Sequence, residues 1–120
     1  MELFEIRKLL SITITERNKL EKELLENRLK LREGSLIERY VICGKDGCKC
    51  SKGEGKHGPF LYLNKKVDGK NIQEYIKDKN SKLINELKRY KAFQDKLAKI
   101  RKLNKKINEL LNELRNGLTI

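Results

Sequence analysis

Residue types that build large globular cores are scarce in this 120-residue sequence. It contains no tryptophan, aromatic residues make up 6% of it, and 38% of its residues are charged. This composition excludes a large hydrophobic core and favours long helices that share a narrow apolar seam in one domain. The sequence also lacks the run of roughly 18 apolar residues that a membrane span needs, and charges such as Glu2 and Lys8 interrupt its start. We therefore expect no signal peptide and no membrane partner.

Disulfide frameworks and common catalytic constellations are missing as well. The cysteines Cys43, Cys48 and Cys50 are odd in number and lie within eight residues, which favours reduced or metal-bound thiols and a cytoplasmic location. The chain has one histidine and shows neither a paired-carboxylate constellation nor a phosphate-binding loop. We therefore expect that it is not an enzyme. The alternative, a nucleophile pair of Cys50 and His57, would give an unusually reactive thiol.

The apolar pattern predicts a mainly α fold, an antiparallel two-helix coiled-coil hairpin with a small three-stranded antiparallel β insert. The predicted parts are an N-terminal long helix in residues 1–33, a β insert with a Cys/His knuckle in 34–78, and a basic long helix in 79–120. All three belong to one structural domain. We expect Ser81 to cap the second helix and Gly117 to follow its end.

The apolar seams of the two helices have equal length, which favours pairing between them. If Leu31 faces Tyr90, the numbers of partner residues sum to about 121, and Arg17 then lies opposite Asn104 as a polar layer that fixes the register. The other predicted partners are Leu24 with Leu97, Leu10 with Leu111, and Leu3 with Leu118. The alternative is that each helix pairs with another subunit, as a homodimer or with a protein partner.

The middle of the sequence changes to a β pattern. Ser35–Cys43, Phe60–Val67 and Lys70–Ile76 are predicted strands, and Asp68-Gly69 is a strong signal for a two-residue hairpin. In that register Tyr62 faces Tyr75 on one side of the ribbon. The other side should pack on the helices, and it carries Leu61, Leu63, Ile72 and Ile76.

Three thiols and one imidazole follow the first predicted strand with the spacing C-x4-C-x-C-x6-H. These are Cys43, Cys48, Cys50 and His57, and this set of ligands matches a tetrahedral zinc site. The spacing lacks the two C-x2-C pairs that are usual in structural zinc sites. Two alternatives therefore stay open, namely a Gly-rich turn with reduced cysteines and an iron–sulfur or redox thiol site.

Positive charge is concentrated in the last third of the chain. The net charge is +12, and residues 79–120 hold 12 basic and 4 acidic residues, which gives +8. Because such a field attracts polyanions, we predict a small basic nucleic-acid-binding protein, for DNA or RNA. The predicted contacts are Arg39, Lys45, Lys49, Lys52, Lys56, Tyr62, Lys65, Lys66, Lys70, Tyr75, Lys88, Lys91, Lys99, Lys102 and Lys106. The alternatives are a solvated lysine face without a partner and a coiled-coil protein–protein interaction or assembly module.

Several short motifs occur together between residues 33 and 77. They are Gly34-Ser35-Leu36, Glu38-Arg39-Tyr40, Cys43-Gly44-Lys45, Gly47-Cys48 with Cys50, Gly53-Glu54-Gly55 and His57-Gly58-Pro59. The set resembles an uncharacterised family of short bacterial and archaeal proteins, although Glu33 stands where arginine is expected and Asp46 where proline is common. The resemblance implies a single module without a known activity. It also implies that the protein is an accessory factor of a mobile element.

Overall fold

The computed structural model describes residues 1–42 and 57–120. Its elements are α1 (Leu3–Glu26), β1 (Ser35–Val41), β2 (His57–Val67), β3 (Lys70–Tyr75), a 3₁₀ turn (Lys77–Lys79) and α2 (Ser81–Leu118). The fold is mainly helical, with a three-stranded antiparallel sheet in the order β1-β2-β3, and these features of the sequence prediction are confirmed. The chain forms two compact units. The helical unit comprises Met1–Leu29 and Ala92–Ile120, and the sheet unit comprises Lys30–Lys91.

The first helix is shorter than the sequence predicts. α1 ends at Glu26, and the side-chain amide of Asn27 donates to the carbonyl oxygen of Leu29 at 3.1 Å. A side chain that bonds to nearby backbone in this way competes with the helical ladder. Leu31 lies beyond the helix and is exposed, so its predicted place in the seam is wrong.

In the helical unit, α1 and the second part of α2 share one apolar cluster. Its buried members are Ile6, Leu10, Ile107 and Leu110. The beginning of α1 thus meets the end of α2, so the two segments run antiparallel. Arg17 Nη1 donates to Asn104 Oδ1 at 3.3 Å, which places these two polar residues opposite each other, as the seam alignment predicts. Supercoiling of the two segments stays a prediction.

The end of α2 differs from the prediction in two respects. Leu110 has 4% of its surface exposed and belongs to the core, whereas Leu111, the predicted partner of Leu10, is 47% exposed. Gly117 lies inside α2 instead of following its end, and a Cβ atom there would come within 2.6 Å of Leu3 Cδ2. The glycine therefore leaves room for the Leu3 side chain.

The two-residue turn of the sheet forms as predicted. Asp68 and Gly69 have φ angles of 51° and 78°, the pair of positive values that a type I′ hairpin turn requires. The turn fixes the register of β2 and β3, in which Tyr62 is the partner of Tyr75. This predicted pair is confirmed.

The core of the sheet unit lies between one face of the sheet and the first turns of α2. Leu63, Ile76 and Leu87 form its buried centre, and Leu87 is 1% exposed. Ile72, predicted on this face, is exposed. Gly34 has a φ of 137°, and a Cβ atom there would come within 2.5 Å of Leu63 Cδ1, so glycine is required next to this core.

The beginning of α2 is held by side chains that the sequence pattern did not indicate. Asn80 Oδ1, and not the predicted cap Ser81, accepts from the backbone N–H of Leu83 at 3.3 Å. The buried Glu86 carboxylate pairs with Arg32 Nη2 at 3.2 Å, and the Arg32 backbone N–H donates to the Glu86 carbonyl oxygen. A buried carboxylate needs such a partner because burial strips it of water.

Candidate nucleic-acid interface

The predicted metal ligands fall mostly outside the described residues. Cys43, Cys48 and Cys50 belong to that part of the chain, and His57, the first residue of β2, is described. Val41 of β1 is the register partner of His57, so the described residues that flank 43–56 lie side by side. Within residues 1–42 and 57–120, no group of three or more His, Cys, Asp or Glu side chains could hold a metal ion.

Four of the predicted basic contacts also lie outside the described residues. They are Lys45, Lys49, Lys52 and Lys56, which lie between Cys43 and His57 in the sequence. The structure therefore places eleven of the predicted contact residues, six in β1 to β3 and five in α2.

On the sheet, three predicted contact residues form one connected group. The rings of Tyr62 and Tyr75 meet edge to face, with centroids 5.5 Å apart. The guanidinium carbon of Arg39 lies 5.0 Å from the centre of the Tyr62 ring, and Arg39 Nη2 donates to Gln73 Oε1. Such a cation–π contact holds the flat guanidinium in a defined orientation. Gln73 was not among the predicted contact residues.

The three predicted lysines of the β2–β3 hairpin differ in whether an acidic residue pairs with them. Lys65 Nζ pairs with Glu74 Oε1 at 3.2 Å, so part of its charge is neutralised within the sheet. Lys66 and Lys70 are exposed near the turn. Within residues 1–42 and 57–120, Lys66 and Lys70 form no ion pair, so these two keep the charge that the prediction assumed for all three lysines.

The predicted lysines of α2 also differ in whether they form ion pairs. Lys99 Nζ lies 3.0 Å from Glu16 Oε1 and therefore helps to join the two helical segments. Part of its charge is therefore neutralised within the helical unit, and its predicted contact with nucleic acid stays a prediction. Lys102 and Lys106 are exposed, as are Lys88 and Lys91, although Lys91 has an interaction of its own.

A cluster of four cations on α2 includes two residues that the sequence analysis missed. Arg101 and Lys105 alternate with the predicted Lys102 and Lys106, and all four are exposed. None of the four forms a hydrogen bond or an ion pair with a residue that the structure describes. Two pairs of like charges, 101 with 105 and 102 with 106, have the i, i+4 spacing that destabilises an isolated helix. That spacing could have revealed the cluster in the sequence.

Few acidic residues lie near this cluster. Between Asp95 and Glu109 the helix contains no acidic residue, and Glu109, which follows Lys105 by four residues, forms no ion pair with a described residue. The nearby acids of α1 are engaged with other lysines, since Glu16 pairs with Lys99 and Glu23 pairs with Lys96 at 3.2 Å. The positive field of residues 101–106, which we call the α2 basic cluster, is therefore directed at solvent.

Comparisons with known proteins give one match. A family described as "Domain of unknown function (DUF6788)" matches residues 13–86, which is more than half of the chain. No curated protein and no solved structure matches. Neither α1 nor α2 is long and apolar enough to cross a membrane, and this finding covers the described residues.

Proposed function

We propose that this chain, which belongs to the DUF6788 family of domains of unknown function, binds nucleic acid through the α2 basic cluster. The observation that carries the proposal is a set of four exposed cations that have no ion-pair or hydrogen-bond partner among the described residues, namely Arg101, Lys102, Lys105 and Lys106. Their mutual repulsion costs helix stability in the free protein. A row of phosphates removes that repulsion and releases its own counterions, which supplies the binding free energy.

The cluster suits the backbone of nucleic acid better than its bases. Three of its four members are lysines, whose ammonium groups are flexible point charges without the flat fork that reads guanine edges. Contacts to phosphate position a protein but carry no sequence information. The α2 basic cluster should therefore bind DNA or RNA with little sequence preference.

A salt series on the whole protein tests this proposal. We expect binding to a fluorescent duplex at low salt, with log K falling linearly against log salt by about 0.9 for each phosphate contacted on duplex DNA. Four contacts at the cluster would give a slope near −3.6 on that basis. The absence of binding at low salt to duplex and single strands of both DNA and RNA would contradict the proposal.

A structural zinc site is a second part of the proposal. Three thiolates and the His57 imidazole form a suitable tetrahedral ligand set for zinc. The pairing of Val41 with His57 supports this, because Cys43 follows Val41 by two residues and His57 is the fourth proposed ligand. A metal here would join the two ends of a Gly-rich segment.

Elemental analysis tests the zinc site. Protein purified without chelator should carry about one zinc per chain, and Cys48→Ser should lose most of it. The far-ultraviolet helix signal should remain in this variant, because α1 and α2 have an apolar cluster of their own. Metal-free wild-type protein, or equal zinc in wild type and Cys48→Ser, would exclude the site.

An assembly module is the alternative function, and one observation favours it. Phe4, Ile12 and Leu25 of α1 are large apolar side chains that are exposed in the single chain. If the salt series shows no nucleic-acid binding, a protein partner or a second copy that covers these residues becomes the better account. Sedimentation of the wild-type protein would then distinguish a monomer from an oligomer. Neither account includes a chemical reaction.

A further inference from the structure

The face of the sheet opposite the core has an unusual composition. Register partners share a face, because side chains alternate along each strand. This open face therefore comprises Ser35, Ile37 and Arg39 of β1, Phe60, Tyr62, Asn64 and Lys66 of β2, and Asn71, Gln73 and Tyr75 of β3. It holds three aromatic rings, three amides and two cations, but no carboxylate. The acids of the strands, Glu38 and Glu74, lie on the core face.

The open face is accessible to a partner. None of its ten residues is buried, and those of β3 are all exposed. The core face of the same sheet is covered through Leu63 and Ile76, which pack with Leu87 of α2. An aromatic pair in a sheet normally gains stability by burial, but Tyr75 is 52% exposed.

The aromatic part of the face is held rigid by its neighbours. Tyr75 packs against the edge of Tyr62, and the Arg39 guanidinium lies over Tyr62 while it bonds to Gln73. A rigid group loses little conformational entropy when a partner binds. The exposed Tyr75 ring and the guanidinium plane of Arg39 are thus two preformed flat surfaces close together.

The polar part of the face carries groups that can read base edges. Asn71 and Gln73 are exposed on this face, whereas the side-chain oxygen of Asn64 is buried and accepts no hydrogen bond from a described residue. Amide side chains both donate and accept hydrogen bonds, which matches the mixed edges of nucleobases. Beside these residues lies a pocket of about 240 Å³, whose lining includes Lys66 and Asn71 and, from outside the open face, Glu33 and Tyr90.

We propose that the open face binds the unpaired bases of single-stranded nucleic acid, with one base stacked on Tyr75 and a neighbouring one on the Arg39 guanidinium. Stacking needs the flat surface of a base, which a duplex hides within its own stack. The ten residues of the face include no carboxylate, which favours the approach of phosphates, and Lys66 lies on the same face to neutralise one, although Glu33 lines the pocket beside it. This inference rests on the proposed function and adds to it a class of substrate, single strands.

Tyr75 variants test the inference in the whole protein. Tyr75→Leu should weaken binding to a fluorescent single-stranded oligonucleotide by about ten-fold, or about 1.4 kcal/mol, because the variant loses the ring on which a base stacks. Tyr75→Phe should retain the affinity, since it keeps the ring. The matched control is Tyr40→Leu, which removes a tyrosine that is also 52% exposed but that has no register partner in the pairing of β1 with β2. Binding to a duplex should stay within about twofold of wild type in all three variants.

A spectroscopic signal separates stacking from mere destabilisation. The chain has four tyrosines and no tryptophan, so tyrosine emission is directly visible. A single strand should quench this emission in the wild type and in Tyr40→Leu, and clearly less in Tyr75→Leu. Strands of DNA and RNA with equal sequence show whether the 2′-hydroxyl contributes.

The outcomes separate this inference from the proposed function. Suppose that the wild type binds duplex and single strands, and that Tyr75→Leu keeps full affinity and quenching with single strands. The open face is then not a stacking site, but the proposal that the α2 basic cluster binds nucleic acid is unaffected. If Tyr75→Leu weakens duplex and single-strand binding equally, the inference is also overturned. If the wild type binds neither, both proposals fail together.

Discussion

Replacing Leu110 with aspartate should unfold the helical unit, whereas the same change at the adjacent Leu111 should have little effect. Leu110 is 4% exposed among Ile6, Leu10 and Ile107, so a carboxylate there would be buried without a partner. The weaker apolar packing and the burial of a charge should together cost more than about 4 kcal/mol, a large part of the stability of a small domain. Leu111 is 47% exposed, so its carboxylate would stay in water and cost less than about 1 kcal/mol.

Urea and thermal denaturation followed by circular dichroism measure this difference. The adjacent variant is a matched control, because both changes remove a leucine from the same helix and add one negative charge. Leu111→Asp should melt within a few degrees of the wild type, and Leu110→Asp should lose most of the helix signal of the helical unit. The reverse order of stability would support the seam predicted from the sequence and contradict the packing of α2 described above.

The choice between Leu110 and Leu111 shows how far the heptad pattern can predict which side of α2 faces α1. Ile107 and Leu114 belong to both alternatives, and both lie in the apolar cluster that α2 shares with α1. On the helix surface beside these two residues, either of two lines of residues could face α1. One line contains Asn104, Leu111 and Leu118, and the other contains Leu103, Leu110 and Gly117. Each line has two leucines, so hydrophobicity alone cannot decide between them. At this end of α2 the structure uses Leu110 and Gly117 of the second line, where the missing side chain of Gly117 admits Leu3, whereas Asn104 of the first line meets Arg17.

The sheet was easier to predict because its register depends on two adjacent residues. Asp68 and Gly69 tolerate positive φ angles, and a two-residue turn between them leaves one register for β2 and β3. The pairing of Tyr62 with Tyr75 follows directly. The early end of α1 could not be predicted in this way, because residues 27–32 contain neither glycine nor proline. It depends on local bonds such as that of Asn27.

The candidate site was only partly visible in the sequence, because charge depends on partners that are distant in the chain. Lys99 is 83 residues from Glu16, and only the folded helical unit brings the two charges within 3.0 Å. Lys65 and Glu74 are joined in the same way by the hairpin. Composition identified the excess of basic residues correctly, but the division into paired and unpaired cations required the structure.

Neutralising the α2 basic cluster should have the largest effect on binding. In the fourfold variant, Arg101, Lys102, Lys105 and Lys106 are each replaced by glutamine, which has a helix propensity similar to that of lysine and arginine. We expect duplex affinity at low salt to fall by at least about a hundredfold and the salt slope to shrink by about 0.9 for each phosphate that is no longer bound. The helical unit should be no less stable, because the two repulsive i, i+4 pairs disappear.

The matched control removes the same charges from positions outside the cluster. It replaces Arg7, Lys8, Lys19 and Lys30, one arginine and three lysines that are also exposed. Both variants have a net charge of +8 instead of +12, so attraction by the whole protein weakens equally in both. A local site predicts a much greater loss of affinity and a smaller salt slope in the cluster variant alone. Equal losses would mean that nucleic acid responds to total charge, and Arg101, Lys102, Lys105 and Lys106 would then be a solvated surface and not a binding site.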